Sequence, residues 1–206
     1  MAQVLVVCTG NICRSPMAEG FLRGLFRLHV QDGEGISVAS AGTSGWDGSP
    51  ATPEAITAAG ERDSDISAHR ARRVKAHHVE RADLVLGMTT DHRDRVIQLA
   101  PPTAPRAFTV KELVQLLEAL PEPPTDDRPG DRLRARVAAS DDLRLEGFEV
   151  NRHDLDVADP IGMSIDTYRA VAWEVDGLCT RLVDGLLGEP PDARAAPLAA
   201  MWKEGE

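Results

Sequence analysis

The sequence contains few cysteines, no long apolar run and no excess of positive charge. Its three cysteines, Cys8, Cys13 and Cys179, form an odd and sparse set that argues against a disulfide-stapled secreted fold. The N-terminus has no basic region, and its apolar run is too short for a signal peptide. No stretch approaches the roughly 18 apolar residues of a membrane span. These absences predict a cytoplasmic protein without membrane insertion.

The charge balance of the chain is acidic. Lys and Arg number 23 against 33 Asp and Glu, which gives a formal net charge of −10. Because affinity for nucleic acid depends on neutralising phosphates with basic side chains, we expect no nucleic-acid partner. A phosphate site must therefore be built locally, against an unfavourable overall field. With 206 residues and 42% hydrophobic content, the chain is long enough for one domain with a real core.

One stretch near the N-terminus combines three local patterns. Residues 4–7 are all apolar and predict a buried strand. Residues 8–13 form a polar turn with a glycine, and a helical pattern with Pro16 in its first turn follows, where proline is tolerated. In such a unit the N–H groups of the loop can converge on one point, and the helix adds its positive end. The sequence therefore predicts a phosphate-binding loop.

This loop carries a candidate nucleophile and a candidate phosphate-binding arginine. The thiol of Cys8 stands at its first position, where backbone dipoles favour the thiolate, which is the nucleophilic form. Arg14 offers a planar fork that can grip two phosphate oxygens, and the hydroxyl of Ser15 is close enough to hydrogen-bond the sulfur. Gly10 and Asn11 tolerate the left-handed backbone that turns N–H groups inward. Alone, this spacing also fits a buried strand-end cysteine and a surface arginine.

The twelve residues that begin at Cys8 read Cys-Thr-Gly-Asn-Ile-Cys-Arg-Ser-Pro-Met-Ala-Glu. This string resembles that of the low-molecular-weight protein tyrosine phosphatases almost letter for letter. The resemblance implies a phosphatase that acts on phosphotyrosine-bearing proteins without a metal or other cofactor. It also implies a phosphate-binding loop made of Thr9, Gly10, Asn11, Ile12, Cys13 and Ser15.

The rest of the chain has the pattern of an α/β protein. Predicted strands cover residues 1–8, 36–39, 83–88 and 106–110, and predicted helices cover residues 14–29, 53–60, 90–100, 111–119 and 164–187. The first strand–helix–strand unit should be right-handed, so its two strands should be parallel. We expect a single domain over residues 1–188, with a four-stranded parallel sheet, helices on both faces and the phosphate-binding loop after strand 1.

Residues 120–152 interrupt this pattern. The first part is rich in proline, and the second is dense in charge, with a short helix predicted over residues 131–140. We expect an insertion close to the rim of the active site, because the segment leads directly to the next motif. A disordered surface loop is the alternative. The Pro/Ala-rich residues 189–206 are expected to form a flexible tail.

A loop of small residues, 40–46, follows the second strand. Ligands of open parallel sheets bind beyond the carboxyl ends of the strands, so this loop should lie beside Cys8. The resemblance places an aromatic wall of the substrate cleft at Trp46. The competing interpretation is a tryptophan that only covers the edge of the core.

His69 stands in an Ala-His-x-Ala-Arg context. In the resembling family a histidine in this context joins a hydrogen-bond network, and the matching partners here are Asn11, Ser15 and Ser40. We therefore interpret His69 as support for the loop and not as a catalytic base.

An Asp-Pro pair at Asp159 is the second chemical motif. Proline stiffens the backbone that carries the carboxylate, although the pair alone is a common turn. The resemblance implies that Asp159 is the general acid, which protonates the leaving oxygen while Cys8 attacks phosphorus and later activates water against the phosphocysteine. Asp154 and Asp156 are nearby, but neither precedes a proline.

Two positions bear on the substrate. Related phosphatases that act on phosphoarginine carry threonine where this chain has Ile12, and a branched apolar side chain favours a flat aromatic ring. Phosphotyrosine is therefore the expected substrate. The residue after Asp-Pro is usually aromatic in the family, whereas here it is Ile161, so one wall of the cleft is aliphatic and ring stacking there is lost.

Several alternatives remain open at this point. A protein-arginine phosphatase of the same fold is the first. Arsenate reductases of this fold use two further neighbouring cysteines, which this chain lacks. An inactive phosphoprotein-binding module would need neither Cys8 nor Asp159. The resemblance also implies a reversible Cys8–Cys13 disulfide under peroxide, and the competing interpretation of Cys13 is a small core residue.

Overall fold

The computed structural model describes residues 1–29, 35–123 and 128–188. They contain a four-stranded sheet in the spatial order β2-β1-β3-β4, in which every neighbouring pair is parallel. Its strands are β1 (Ala2–Cys8), β2 (Ile36–Gly42), β3 (Leu84–Gly87) and β4 (Ala107–Thr109). The predicted parallel sheet is confirmed.

Helices cover both faces of this sheet. They are α1 (Arg14–His29), α2 (Pro53–Gly60), α3 (Ala76–Arg81), α4 (Thr90–Leu99), α5 (Val110–Ala119), α6 (Pro129–Leu145) and α7 (Ile165–Leu187). Along β1, Val4 and Val6 face the larger core cluster, while Leu5 and Val7 face the smaller one. Since successive strand residues point to opposite faces, β1 is buried on both sides. None of the helices in the described ranges is long and apolar enough to cross a membrane.

Capping side chains start helices directly after the strands. The hydroxyl of Thr89 accepts the backbone N–H of His92 at the start of α4. Thr109 ends β4 and forms a capping box with Glu112 at the start of α5. Ser164 caps the start of α7, where its hydroxyl accepts the backbone N–H of Thr167. Such caps satisfy N–H groups that a helix leaves unpaired, and they keep the loops at the carboxyl edge of the sheet short.

The structure differs from the sequence prediction in three short elements. Strand β2 continues to Gly42 because its last residues stay paired with β1, Gly42 opposite Cys8. Helix α3 was not predicted, since its six residues are too few to show a helical period. A 3-10 helix, Pro101–Arg106, was also missed, because three prolines obscure a helical pattern.

The segment 120–152 contains a long helix, Pro129–Leu145. Helix α6 is longer than expected and buries Leu133 and Val137 in the larger cluster, so this part is not a disordered loop. A Cβ placed on Gly130 would lie 3.4 Å from the Cβ of Ala2. Ala2 starts β1, whereas the active-site loop follows its end, so the first turn of α6 lies at the other end of β1 from that loop. The placement of the whole segment at the rim of the active site stays a prediction. The tail 189–206 lies outside the described residues.

Candidate active site

Cys8 ends β1, and its sulfur is enclosed by the loop that follows. The backbone N–H of Asn11 donates to Cys8 Sγ over 3.2 Å, and the hydroxyl of Ser15 donates over 3.0 Å. Asn11 has φ of 57°, in the left-handed region that asparagine tolerates better than most residues. This conformation lets the loop turn its N–H inward. The sulfur therefore sits among donors, as a thiolate requires.

Asn11 connects the loop to its surroundings. Its side-chain nitrogen donates to Ser15 Oγ at 3.0 Å and to Ser40 Oγ at 2.8 Å. His69 Nε2 lies 2.8 Å from the Asn11 carbonyl oxygen. Because a carbonyl only accepts, His69 must carry a proton on Nε2. The structure thus brings together the four residues of the expected network.

Two members of this network were missed by sequence reasoning. The backbone N–H of Arg72 donates to Asn11 Oδ1 at 2.9 Å. Glu19 is 8% exposed and accepts the hydroxyl proton of Ser40 at 2.5 Å. Glu19 lies one helical turn after Ser15, so its spacing placed it on the loop-facing side of α1. Nothing in the sequence indicated the contact of the Arg72 backbone.

The guanidinium of Arg14 is buried and is held along one edge. Its Nη1 donates to the carbonyl oxygen of Val157 at 3.1 Å. Its Nη2 donates to Asp159 Oδ2 at 2.5 Å and to Thr9 Oγ1 at 3.3 Å. The Nε–H is buried and has no hydrogen-bond partner among the described residues. Such a donor fits an anionic ligand within the loop.

His92 lies behind Thr9 and was not found from the sequence. Its Nε2 hydrogen-bonds with Thr9 Oγ1 across 3.0 Å, and its Nδ1 with Thr89 Oγ1 across 2.8 Å. Burial lowers the pKa of His92 to about 4, because desolvation disfavours the charged ring. His92 is therefore neutral near pH 7. The only sequence signal was its place just beyond the carboxyl end of β3.

Asp159 reaches the cleft from a loop anchored to the sheet. The backbone N–H of Val157 donates to the Met88 carbonyl oxygen, just after β3, at 2.8 Å. Asp159 Oδ1 accepts the backbone N–H of Ile161 at 3.2 Å. The other carboxylate oxygen lies against Arg14, as described above. The carboxylate is therefore aimed at the loop.

The two neighbouring aspartates are engaged elsewhere. Asp156 Oδ1 accepts the backbone N–H of Thr90 at 2.8 Å. Asp154 pairs with Lys111 at 2.5 Å. Neither lines the cleft that contains Asp159. The structure thus distinguishes the Asp-Pro carboxylate from its competitors.

A cleft of about 120 Å³ opens over the sulfur. Trp46 is 60% exposed and Ile161 is 48% exposed, so both stand at the mouth and Trp46 does not simply cover the core. For comparison, an apolar cavity of about 150 Å³ can hold one benzene ring. A larger cleft of about 690 Å³ lies behind the loop and does not include Cys8. The smaller cleft is lined by Cys8, Thr9, Gly10, Ile12, Cys13, Arg14, Trp46, Asp159 and Ile161.

All three cysteines are unpaired and buried. Cys13 Sγ lies 3.5 Å from the Tyr168 hydroxyl and 3.6 Å from Thr52 Oγ1. Burial raises the pKa of the Cys13 thiol. Burial also raises the pKa of Cys179, which lies on α7 and packs in the larger core cluster. Of the three sulfurs, Cys8 Sγ is the one that accepts a backbone N–H, from Asn11, together with a hydroxyl donor.

The chain is similar in sequence to a known protein family. The sequence model described as low molecular weight phosphotyrosine protein phosphatase matches residues 3–139. The chain belongs to this family. The expected family membership, α/β fold and phosphatase activity are confirmed.

Relatives in this phosphatase family include enzymes named for two different substrates. A protein-arginine-phosphatase of Geobacillus stearothermophilus is 30% identical over 187 residues, covering 91% of this chain and 97% of that protein. A probable low molecular weight protein-tyrosine-phosphatase of Ralstonia nicotianae is 39% identical over 112 residues, covering 54% and 72%. A solved low molecular weight protein tyrosine phosphatase from T. tengcongensis is 32% identical, with a TM-score of 0.66 over 90% of this chain and all of that one. A phosphoprotein substrate is common to these names.

Proposed function

We propose that this phosphatase hydrolyses protein phosphotyrosine through a phosphocysteine intermediate. The observation that carries the proposal is the cleft in which Ile12, Trp46 and Ile161 stand over Cys8. A flat ring between these walls would bring its phosphate into the loop. Binding there would satisfy the unpartnered Nε–H of Arg14.

In the first step, the Cys8 thiolate attacks phosphorus in line with the leaving phenol oxygen. An S–P bond forms, the P–O bond to the ring breaks, and Asp159 gives its proton to the departing oxygen. Before this, the substrate phosphate replaces Asp159 on Arg14, so that the freed carboxylate can take up a proton. The loop N–H groups and Arg14 stabilise the charge on the equatorial oxygens.

In the second step, water attacks the phosphocysteine. Asp159, now ionised, accepts a proton from that water, and phosphate leaves as the Cys8 thiolate is released. The hydroxyl of Ser15 stabilises the departing sulfur by the hydrogen bond described above. The site returns to its starting state.

Phosphoarginine is the second candidate substrate, and one observation favours it. The relative that matches almost the whole chain, with 30% identity over 91% of it, is named a protein-arginine-phosphatase. The tyrosine proposal is supported by the apolar side chain of Ile12 in the cleft. Ile161, which is not aromatic, weakens the grip on a ring from one side.

The experiment that decides is kcat/KM for phosphotyrosine and phosphoarginine peptides side by side, with Cys8→Ser as the blank. A clear excess for phosphotyrosine supports the proposal. An excess for phosphoarginine moves the substrate assignment to arginine and leaves the Cys8 chemistry in place. Absence of Cys8-dependent turnover on both peptides rejects the catalytic proposal and favours a binding module.

We further propose that the protein works in the cytoplasm on phosphotyrosine-bearing proteins, without nucleic acid and without membrane insertion. A reducing compartment suits a nucleophilic thiol that must stay free.

We also propose that a Cys8–Cys13 disulfide forms reversibly under peroxide and protects Cys8. Mass spectrometry of the oxidised enzyme tests it, and over-oxidised Cys8 without the crosslink would reject it.

A further inference from the structure

A short hydrogen-bonded chain runs from helix α4 to the guanidinium of Arg14. His92 Nε2 hydrogen-bonds with Thr9 Oγ1 at 3.0 Å, and the same oxygen accepts a hydrogen bond from Arg14 Nη2 at 3.3 Å. We propose that His92, through the hydroxyl of Thr9, is a positioning residue that keeps Arg14 oriented during phosphoryl transfer. The inference deepens the function proposed above and rests on it.

The imidazole of His92 is fixed at both ends. The Thr89 hydroxyl accepts the His92 backbone N–H at 3.4 Å and hydrogen-bonds with Nδ1 at 2.8 Å. The side chain is only 5% exposed. Because both ring nitrogens are engaged, the ring cannot turn without losing a buried hydrogen bond, which is costly. Helix α4 therefore presents Nε2 at a fixed point beside the loop.

Thr9 has the capacity for both contacts. Its hydroxyl has one proton and two lone pairs. If His92 Nε2 accepts, Thr9 donates to it and still accepts from Arg14. If Nε2 donates, Thr9 accepts from both and its own proton is free. In either tautomer of the neutral ring, the bond from Arg14 to Thr9 is kept.

This bond matters because Asp159 cannot hold Arg14 throughout the reaction. To act as an acid, the Asp159 carboxylate has to leave Nη2 and turn to the leaving oxygen. Arg14 then retains Val157 O on Nη1 and Thr9 Oγ1 on Nη2. These two contacts fix the plane of the guanidinium, so that the buried, unpartnered Nε–H keeps its orientation.

Thr9 needs a second contact to keep its hydroxyl directed at Arg14. It is an exposed residue, and an exposed side chain changes rotamer freely. His92 supplies a buried partner that selects the rotamer in which Oγ1 faces Arg14. Without His92, the hydroxyl should spend most of its time elsewhere, and Arg14 should lose its orientation.

The test is a double-mutant cycle with Thr9→Val and His92→Leu, measured as kcat/KM for p-nitrophenyl phosphate. Each single change should lower kcat/KM by roughly 10- to 100-fold, the loss typical of a hydrogen bond to a charged group. The double variant should be no worse than the poorer single variant, because both changes break one chain. Losses that multiply would overturn the inference.

Two further variants separate positioning from stability. His92→Gln keeps an amide that can reach Thr9 and should recover most of the activity that His92→Leu loses. Val96→Ala truncates a fully buried side chain of the same helix; it should lower Tm and leave kcat/KM within about twofold of wild type. If Val96→Ala loses as much activity as His92→Leu, the role of His92 is only structural. If His92→Leu does not fold, Thr9→Val with wild-type kcat/KM overturns the inference.

Leaving groups and ligand binding distinguish this inference from the function on which it rests. His92→Leu should lose the same factor on phenyl phosphate as on p-nitrophenyl phosphate, since Arg14 does not protonate the leaving group. Orthovanadate binding, measured by calorimetry, needs no turnover and should weaken in Thr9→Val and His92→Leu alike. Absence of Cys8-dependent turnover in the wild type rejects the proposed function alone. Unchanged vanadate affinity in both variants rejects the positioning role.

Discussion

The hydroxyl of Ser15 donates a hydrogen bond to the sulfur of Cys8 over 3.0 Å. The same sulfur is the nucleophile in the first step and the leaving group in the second. This hydrogen bond therefore stabilises the thiolate in both steps. Ser15→Ala should therefore lower kcat by roughly tenfold or more. Stopped-flow measurement of the phenol burst and of the steady state should show both phases slowed.

Ser67→Ala, a change of an exposed serine in a different loop, is the matched control and should keep wild-type rates. A Ser15→Ala variant with an unchanged steady-state rate on a substrate whose second step limits turnover would contradict the assigned role.

Removal of the Asp159 carboxylate should affect poor leaving groups most. Asp159→Ala should slow turnover of phenyl phosphate by about 10²–10⁴, the range typical of general acids. The loss on p-nitrophenyl phosphate should be smaller, because that phenol leaves without needing a full proton. The comparison of kcat across a series of phenols measures this dependence.

The matched control is Asp156→Ala, three residues earlier. The Asp156 carboxylate accepts the backbone N–H of Thr90 and does not line the cleft. It should leave the leaving-group dependence unchanged. Full activity of Asp159→Ala on phenyl phosphate would remove Asp159 from the mechanism.

Gly42 lies against the phosphate-binding loop and has no room for a side chain. A Cβ there would sit 2.6 Å from the Thr9 carbonyl oxygen and 3.0 Å from the Asn11 nitrogen. Both are backbone atoms, so Gly42→Ala should displace the loop. Because a misplacement of about 1 Å can cost roughly 10²-fold in rate, we expect a loss of that order in kcat/KM.

Gly24→Ala provides the comparison, since its added Cβ would meet no heavy atom of the described residues within 4 Å beyond its chain neighbours and the backbone of its own helix. In the middle of α1 it should stabilise the fold by about 0.5–1 kcal/mol and preserve activity. Equal activity of the two variants would show that the loop tolerates the displacement.

The neutral state of His92 should make stability depend on pH. The ring has a pKa of about 4 in the folded protein against 6.5 when free. Between these values the unfolded chain binds more protons, so stability is fully present above pH 6.5 and falls as the pH drops toward 4. Urea unfolding should show that protonation of His92 lowers the unfolding free energy of the wild type by about 2 kcal/mol between about pH 7 and about pH 5.

His92→Gln has no group that titrates in this window, so the difference between the two proteins isolates the histidine. A variant that loses the same stability as wild type over this range would show that His92 is not the titrating group.

Short-range features of the site were predictable from sequence, and long-range ones were not. Cys8, Arg14 and Ser15 belong to one loop whose chemistry follows from strand, turn and helix spacing. Asp159 was separated from Asp154 and Asp156 only by its proline and by the family resemblance. His92 and Gly42 act on the loop across the sheet edge, so only the fold shows their contacts.

The same division holds for the fold. The strands with continuous apolar runs and the long amphipathic helices were predicted, because burial imposes a clear period on them. The full length of helix α6 was not predicted, since its charged sequence hides the few side chains, such as Leu133 and Val137, that anchor it. Its position depends on which surface those side chains find, and the local pattern does not encode that surface.

The pairing of Arg14 with Asp159 joins residues that are 145 positions apart in the chain. During synthesis at about 5–20 residues per second, the loop that carries the nucleophile precedes the proposed acid by roughly 7 to 30 s. The nascent chain thus presents a thiol long before it possesses the carboxylate that completes the reaction. Full phosphatase activity should consequently appear only when the Asp159 loop and helix α7 have docked, which makes turnover a reporter of these late folding steps.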